Sequence, residues 1–391
     1  MTSWPKVPLG KMADITAGDS APQTADAYSP DGRPFVRMQD LGRHGRTDNL
    51  IETTDRVSES ASARLKLFRK GSILVPKSGA SIRLNHRAIL GIDAHVVSHL
   101  AVVTPGPSIN GRLLYYWLSN MDMGKVAPES DYPSLRLSDL AQVMIPLPTP
   151  SEQDRIVQIL DEAEALRHLR AHADKRNGQV INALFVEMFG DPMMNEKAWR
   201  LRPLGDLTLH LTSGSRGWSQ LTGKGTDLFL RTQDINDGSI AENLLAVDAP
   251  GGAEAERTRL VPGDVVVTIT GVVGKAAVFR GSERPVYVSQ HVAMVRPDSD
   301  QLSAEYLVAY VNLLVGGVPI LALSQYGQTK PGLGFRELKT ALIPLPPLEL
   351  QRLFTSRVVE VRELQGAQTA SRQRLDNLFQ SLLQSAFQGR L

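Results

Sequence analysis

The polar residues of this 391-residue chain that could do chemistry recur as two similar sets, without gathering into one catalytic motif. Arg37–Asp40 reads Arg-Met-Gln-Asp, and Arg231–Asp234 reads Arg-Thr-Gln-Asp. Each set follows an apolar segment and precedes a glycine-containing turn. Arg and Gln are the side chains that make bidentate contacts to guanine and adenine in the major groove of DNA. The alternative role is an Arg–Asp ion pair that braces the turn, and we favour it for the two Asp residues.

Two glycine-containing loops carry a basic residue at matched positions. They are Lys77–Arg83 in the first half and Thr268–Lys275 in the second, and each ends on its basic residue. Backbone amides in such loops can approach phosphates closely, and a cation completes the contact. Two later loops, Glu129–Ser134 and Gln325–Lys330, either touch DNA or are plain surface loops.

Signatures of catalysis are missing from the sequence. Gly271–Lys275 lacks the full spacing of a phosphate-binding P-loop. There is no Gly-x-Ser-x-Gly, no His-Glu-x-x-His and no Asn/Asp-Pro-Pro-aromatic tetrapeptide of the amino-methyltransferases. His99 and His291 recur within strand-like segments, where we expect core or backbone-bonded histidines. We therefore expect no catalytic residue and no metal site in this chain.

The composition is that of an ordinary soluble globular protein, with 42% hydrophobic and 21% charged residues. Because the chain has no Cys, disulfides, thiolate metal sites and cysteine nucleophiles are excluded. The N-terminus lacks a signal-peptide profile and no apolar run reaches membrane-spanning length, so we expect a cytoplasmic protein. A net charge of +2 permits a nucleic-acid partner without demanding one.

Further segments recur in the same order along both halves. Trp-x-x-x-Pro-Leu-Gly begins at Trp4 and again at Trp199, and Ile-Pro-Leu-Pro begins at Ile145 and again at Ile343. A repeat of nearly half the chain is too long for a solenoid. It indicates two copies of one domain-plus-helix unit, and two similar halves suit a target that also has two halves.

Each copy begins with short strand-like segments and ends with a long amphipathic helix. His95–Val103 and Val286–Val295 have the length and β-branched content of strands. Ser151–Phe189 and Glu349–Phe387 place apolar residues at alternating steps of three and four, and Ser151 can cap the first of these helices. Gly178 and Gly366 are points where the two helices can bend.

We predict an α+β fold from these patterns. About 39 residues make a helix of roughly 58 Å, longer than a domain of this size is wide, so the two helices should pair with each other. The prediction is two similar mixed α/β domains, residues 1–150 and 191–348, each followed by a long helix, residues 151–190 and 349–391. The helices pair as an antiparallel coiled coil with pseudo-two-fold symmetry.

The chain resembles the specificity subunit of type I restriction-modification enzymes. The resemblance rests on Trp-x-x-x-Pro-Leu-Gly and Arg-x-Gln-Asp in each half, and on Ile-Pro-Leu-Pro followed by Gln153 or Gln351. The end of the chain, Leu382–Leu391, also looks like that of the family. This resemblance implies a non-catalytic DNA reader with two target recognition domains, each of which binds one half of a split site on double-stranded DNA. It also implies two methylation subunits that carry S-adenosylmethionine, restriction subunits that use ATP and Mg, and no cofactor bound by this chain.

Three other interpretations remain open at this stage. The chain could be the DNA reader of a methylation-only phage-defence system, which would have the same sequence features. It could also be a two-headed coiled-coil adaptor that joins other proteins without binding DNA. A stand-alone enzyme is the interpretation that the missing motifs support least.

The residues that we predict to contact DNA come from the segments described above and from two further basic positions, Arg87 and Arg216. The full set is Arg37, Gln39, Lys77, Ser78, Arg83, Arg87, Tyr132, Ser134, Arg216, Arg231, Gln233, Thr270, Lys275, Gln328, Thr329 and Lys330.

Overall fold

The computed structural model describes residues 4–43, 49–79, 81–126, 133–177, 179–192, 194–236, 238–314 and 332–391. The chain divides into two compact units. The first unit consists of Met1–Ala171 with Ala370–Leu391, and the second consists of His172–Thr369. Among the described residues, no helix combines the length and the apolar character needed to cross a membrane.

The first unit contains two sheets and one further strand pair. Its five-stranded sheet has the order β2-β9-β6-β7-β4, its three-stranded sheet has the order β5-β3-β8, and β1 pairs with β10. The pairs β3·β8 and β4·β7 are parallel and the other described pairs are antiparallel. The strands are β1 (Lys6–Pro8), β2 (Ala13–Ala17), β3 (Tyr28–Val36), β4 (Asn49–Leu50), β5 (Asp55–Val57), β6 (Ile73–Pro76), β7 (Ala88–Leu90), β8 (His95–Val96), β9 (Leu100–Pro105) and β10 (Met144–Pro146).

The five-stranded sheet of the first unit separates two hydrophobic cores. Successive side chains of a strand point to opposite faces of its sheet. Ile73 and Val75 of β6 accordingly enter the core that the sheet shares with the helices, whereas Leu74 enters the core that it shares with the three-stranded sheet. The helices that begin in this unit are α1 (Met38–Arg43), α2 (Glu59–Ser62), α3 (Ser81–Leu84), α4 (Gly111–Asn120), α5 (Leu137–Ala141) and α6 (Pro150–Asn177).

The second unit has corresponding sheets. Their orders are β12-β20-β17-β18 and β16-β13-β19, with β11 paired to β21 and β14 to β15. The strands are β11 (Arg200–Pro203), β12 (Thr208–Ser213), β13 (Thr222–Leu230), β14 (Ile235–Asn236), β15 (Ser239–Ile240), β16 (Leu245–Val247), β17 (Val265–Thr268), β18 (Ala276–Val278), β19 (Val286–Val288), β20 (Val292–Pro297) and β21 (Leu342–Leu345). The remaining described helices are α7 (Val180–Phe189), α8 (Ala253–Thr258), α9 (Ala304–Leu314), α10 (Phe335–Thr340) and α11 (Leu348–Phe387).

The two domains share most of one topology, because β2-β9-β6-β7 corresponds to β12-β20-β17-β18 and β5-β3-β8 corresponds to β16-β13-β19. This confirms the predicted fold class. Even a close backbone approach is repeated. A Cβ atom added at Gly18 would lie 2.1 Å from the Val96 carbonyl oxygen, and one added at Gly214 would lie 1.9 Å from the Val288 carbonyl oxygen. Only glycine fits where the chain leaving β2 or β12 passes so close to a neighbouring strand, so both copies need it at this position.

The predicted single strands His95–Val103 and Val286–Val295 are each divided by a turn. Residues 97–99 separate β8 from β9, and residues 289–291 separate β19 from β20. The prediction of one strand in each place was wrong. Each stretch instead supplies one strand to each of two different sheets.

The first long helix differs from its prediction at its beginning and in its continuity. It begins at Pro150, and Thr149 rather than Ser151 occupies the capping position. The Thr149 amide and hydroxyl donate to the Glu152 carboxylate at 2.9 and 2.7 Å. Helix α6 ends at Asn177 and α7 begins at Val180, so a single helix over 151–189 was wrong. Gly178 lies outside the described residues.

The second long helix agrees with its prediction. Helix α11 runs without interruption from Leu348 to Phe387 and passes through Gly366. It therefore keeps its hydrogen-bond ladder at the glycine where we expected a possible bend.

Segments of the two long helices pack against each other inside each unit. In the first unit, Ile156 and Leu160 share a core with Phe379 and Leu383. In the second unit, Phe185 shares a core with residues near the start of α11, including Phe354. Each unit thus combines an early part of one helix sequence with a late part of the other. The antiparallel coiled-coil pairing of the two long helices stays a prediction.

A buried glutamine fixes each long helix to the domain that precedes it. The Gln153 side chain accepts from the Asn110 amide at 2.6 Å and donates to the carbonyls of Ser108 and Pro148, both at 3.1 Å. Gln351 makes the same three bonds. It accepts from the Ser303 amide at 2.9 Å and donates to the carbonyls of Gln301 and Pro346 at 3.2 and 2.9 Å. The glutamine that follows each Ile-Pro-Leu-Pro segment is therefore structural.

Replacing Gln351 by Ala is expected to lower the free energy of unfolding by about 1–3 kcal/mol, because buried backbone groups lose their hydrogen-bond partners. Urea titration followed by circular dichroism measures the loss. Gln384→Ala is the matched control, because Gln384 is exposed on the same helix. Equal stability of the two variants would show that the three hydrogen bonds contribute nothing.

Candidate nucleic-acid interface

Three segments of the first unit meet at the end of strand β6. The Lys77 amide donates to the His99 carbonyl at 3.0 Å, and the Leu135 amide donates to the Lys77 carbonyl at 2.8 Å. The Gly79 amide donates to the Pro133 carbonyl at 2.9 Å. We call residues 77–79, 98–99 and 133–135 the first loop surface.

The second unit builds the same arrangement at the end of strand β17. The Ile269 amide donates to the His291 carbonyl at 3.0 Å, and the Leu333 amide donates to the Ile269 carbonyl at 2.8 Å. Thr270 and Gly332 form a bridge that corresponds to the bridge between Ser78 and Ser134. We call residues 269–275, 290–291 and 332–333 the second loop surface.

The recurring arginines lie at the same edge as the loop surfaces. Strands β3 and β8 are parallel, so their carboxyl ends lie at one edge of their sheet. The Val97 amide donates to the Val36 carbonyl at 3.0 Å, which places Arg37 beside the turn that contains His99. In the second unit, the Ser289 amide donates to the Leu230 carbonyl at 2.9 Å, and Arg231 follows Leu230 directly.

Both arginines are held by carboxylates, but by different ones. The Arg231 side chain donates to Asp234 through Nε and Nη2, each at 3.1 Å, which is the turn-bracing ion pair that we favoured. The Arg37 guanidinium instead contacts Asp55 and donates to the Tyr28 hydroxyl at 2.8 Å.

The recurring aspartates have a structural role in both copies. Asp40 accepts from the Arg37 amide at 2.8 Å and from the Thr54 hydroxyl at 2.7 Å. Asp234 accepts from the Arg231 amide at 2.9 Å. Each aspartate therefore closes the turn that begins at the arginine. The predicted ion pair between the two side chains forms in the second copy, whereas the Arg37–Asp40 pair predicted for the first copy was wrong, because Arg37 contacts Asp55 instead.

Most of the predicted contact residues within the described ranges reach the surface. Arg83 stands on α3, next to the first loop surface, and Arg216 precedes the short helix at Trp218. The Lys275 amide donates to the Thr268 hydroxyl at 3.0 Å, which fixes the end of the glycine loop. Exposed positions are Gln39, Arg83, Ser134, Arg216 and Gln233, and half-buried positions are Arg37, Lys77, Ser78, Arg231, Thr270 and Lys275.

Arg87 is the exception, and its prediction as a DNA contact was wrong. The residue is 1% exposed. Its guanidinium donates to the His86 carbonyl at 2.5 Å and to the Asn85 side chain at 2.7 Å. The side chain is turned inward just before β7, where it organises the end of α3. Tyr132, Gln328, Thr329 and Lys330 lie outside the described residues.

Two histidines reach the surface although the sequence pattern predicted a core or backbone-bonded role for them. His99 and His291 are exposed, each in the turn that divides the predicted strand. The His99 ring lies 2.8 Å from the Ser78 hydroxyl, and the His291 ring lies 3.1 Å from the Gln290 amide nitrogen. Their equal separation from Gly79 and Gly271 was the signal in the sequence that could have placed them on the loop surfaces.

Within the ranges that the structure describes, no group of three or more His, Asp or Glu side chains has an arrangement that could hold a metal ion. The polar side chains on the loop surfaces are cationic, amide, hydroxyl and imidazole groups, and Val272 is an exposed apolar one. These polar groups donate hydrogen bonds to phosphates and to base edges.

Comparison with protein families matches the first part of the chain to a family model. It is the type I restriction modification DNA specificity domain, which matches residues 1–173.

Two relatives and one solved structure extend this finding. The type I restriction enzyme EcoBI specificity subunit of Escherichia coli is 27% identical over 167 residues, which are 41% of this chain and only 35% of that protein. The type I restriction enzyme MjaIX specificity subunit of Methanocaldococcus jannaschii is 23% identical over 387 residues, with 89% of this chain and 85% of that protein covered. A chain from a structure describing complex assembly and conformational transition of the type I restriction-modification system has a TM-score of 0.63 and 21% identity. The match covers 100% of this chain and 99% of that chain, and it supports the fold.

Proposed function

Because this chain belongs to the family of type I restriction-modification specificity subunits, we propose that it recognises a DNA site made of two separated halves. Each domain reads one half through its own loop surface. The observation that carries this proposal is the repetition of one loop arrangement, with exposed polar side chains, at the ends of β6 and β17. A reader with two similar recognition surfaces suits a split site on duplex DNA.

We propose that the residues that differ between the two loop surfaces determine which bases each domain recognises. Residues shared by both copies, such as His99 and His291, suit contacts to phosphate, which carry no sequence information. Ser78 corresponds to Thr270 and Lys77 corresponds to Ile269, whereas the glycine that follows is shared as Gly79 and Gly271. Side chains at such positions can choose different bases in the two halves.

The proposed complex also contains catalytic partners. Two methylation subunits carrying S-adenosylmethionine would modify the site, and restriction subunits using ATP and Mg would cleave DNA. The long helices offer a surface for such partners, because several of their large apolar side chains are exposed in this chain. Examples are Leu166, Leu169, Leu353, Leu364 and Leu378. In this proposal the chain itself catalyses nothing and binds no cofactor.

A mobility-shift assay tests the proposal. The chain, mixed with the methylation subunits, should shift a DNA duplex that carries its site and should resist competition by scrambled DNA. A shift that scrambled DNA abolishes equally well would contradict sequence recognition. The absence of any shift would favour a structural adaptor instead.

Replacing Lys275 by Ala is expected to weaken DNA binding to a similar degree on every sequence, because its ammonium group is proposed to neutralise a phosphate. The slope of log binding constant against log salt concentration should fall by about one unit. Fluorescence anisotropy at several salt concentrations measures both effects.

Lys224→Ala is the control for this variant. Lys224 is exposed near the start of β13, at the opposite end of that strand from Arg231. If Lys275→Ala and Lys224→Ala bind DNA with the same affinity and the same salt slope, the second loop surface is not the DNA-binding surface.

A further inference from the structure

The first domain is joined to its long helix by a cationic group on the domain and an anionic group on the helix. Arg112 of α4 donates through Nε to the Asp161 carboxylate of α6 at 2.7 Å. The Tyr116 hydroxyl donates to the same oxygen, and the Arg112 guanidinium lies 5.1 Å from the Tyr116 ring centre. Glu164 of α6 lines the same cleft as Arg112 and Asp161. The helix thus presents the Asp161 carboxylate to Arg112, while Glu164 contacts Arg167 and His168 of its own helix.

The second domain is joined to its long helix with the opposite signs. Arg362 of α11 donates to both carboxylate oxygens of Glu305 on α9, at 2.9 and 2.7 Å. Arg280, at the end of β18, donates to Glu305 at 2.5 Å. The Glu305 side chain is only 6% exposed. Burial raises the pKa of the Glu305 carboxyl and the neighbouring Arg280 lowers it, so the charged form depends on its cations.

The two junctions occupy equivalent positions in the repeat. The glutamine side chain that fixes each helix accepts from the Asn110 amide in the first unit and from the Ser303 amide in the second. Arg112 and Glu305 each lie two residues beyond that amide. Glu164 lies eleven residues beyond Gln153, and Arg362 lies eleven residues beyond Gln351.

The sign of the charge is therefore reversed at equivalent positions on both sides of the junction, although Arg112 contacts Asp161 and Glu305 contacts Arg362. The domain helix carries Arg112 in one copy and Glu305 in the other. The long helix carries Glu164 in one copy and Arg362 in the other. The long helices also differ at the position of Asp161. The second helix has Val359 there, which carries no charge.

We propose that these two junctions are charge keys, which assign each recognition domain to its own long helix and disfavour exchange between them. If the second domain were followed by the first helix, Glu305 would face Asp161 and Glu164. If the first domain were followed by the second helix, Arg112 would face Arg362. Such like-charge contacts are a common way to reject an incorrect partner.

The two incorrect combinations differ in severity. The Arg112 and Asp161 side chains are 27% and 42% exposed, so solvent screens that junction and a mismatch there costs little. Glu305 is nearly buried, and an uncompensated buried charge is strongly destabilising. Arg280 belongs to the second domain and would move with it, so it compensates part of the loss. The charge key should therefore destabilise most strongly the incorrect combination in which the second domain is followed by the first long helix.

A chimera tests this proposal in the full chain. Residues 4–149 are replaced by a second copy of residues 199–347, and the first long helix is kept either unchanged or with Asp161→Val and Glu164→Arg. The altered helix is expected to raise the midpoint of thermal unfolding of the chimera by about 4 °C or more. In the natural chain, the same two substitutions should lower the midpoint, because Arg112 would then face an arginine. The opposite signs in the two chains are the expected result, and equal signs would overturn the proposal.

A control variant and a second set of variants in the natural chain keep the test decisive. Glu162→Arg is the control, since Glu162 is exposed on the same helix and should give a midpoint shift of the same sign and small size in both chains. If neither chimera folds, the natural chain is compared with Arg112→Glu, Asp161→Arg and the double variant. Each single variant should lower the midpoint, and the double variant should recover at least half of the larger loss. No recovery would overturn the proposal.

Discussion

Replacing Phe185 by Ala is expected to lower the free energy of unfolding of the second unit by about 3–5 kcal/mol. Phe185 is 1% exposed. Its ring is stacked on Tyr306 with centres 5.3 Å apart, lies edge-on to Phe354 at 5.7 Å and lies 4.9 Å from Phe189. Alanine would leave a cavity at the point where α7, α9 and the start of α11 meet, and the three helices would lose their shared packing there. Urea titration of the full chain measures the loss.

Val186→Ala is the control for this variant. Val186 follows Phe185 on α7 but is 44% exposed, so its truncation should change stability by less than about 0.5 kcal/mol. Comparable losses for the two variants would contradict a specific role of the aromatic cluster. The cluster would then not be what holds the second domain to the long helices.

Replacing the first domain, residues 1–150, by the corresponding domain of a relative is expected to change one half of the recognised DNA site completely. The other half should stay the same, because each domain has its own cores and its own loop surface. The donor domain should keep an arginine at the position of Arg112, so that it matches Asp161. Competition binding with duplexes altered in one half at a time measures the change. A folded hybrid with altered preference in both halves would contradict independent reading by the two domains.

The fold could be predicted from the sequence because its main signals are long and repeated. The order of the recurring segments indicated two copies, and steps of three and four indicated the long helices. Helix α11 agrees with its predicted bounds to within one residue at the start. Patterns of this length average over many side chains, so single exceptions such as Gly366 do not hide them.

Local features were harder to predict, because they depend on neighbours distant in sequence. The turn at residues 97–99 contains neither Gly nor Pro, so nothing in its composition marks a break between β8 and β9. Its position is set by pairing of these strands with two different sheets. The exposure of His99 follows from that turn, and the core role expected for His99 was wrong for this reason.

DNA-contact residues were also hard to predict from charge alone, because the exposure of a charged side chain depends on the structure around it. Arg83 and Arg87 are four residues apart in one basic segment, yet the first is exposed and the second is buried. A short helix ends between them at Leu84, and the chain then enters strand β7. The change from helix to strand decides that Arg83 faces solvent and Arg87 faces the interior. The sequence does not show where this change occurs.

Mapping the methylated bases in DNA from cells that express this chain with its methylation partners tests the central claim most directly. The expected result is a two-part sequence, whose halves are separated by a fixed number of unspecified base pairs and whose methylation is lost when this chain is deleted. A single uninterrupted recognition sequence, or methylation that persists without this chain, would contradict recognition of a split site by its two domains.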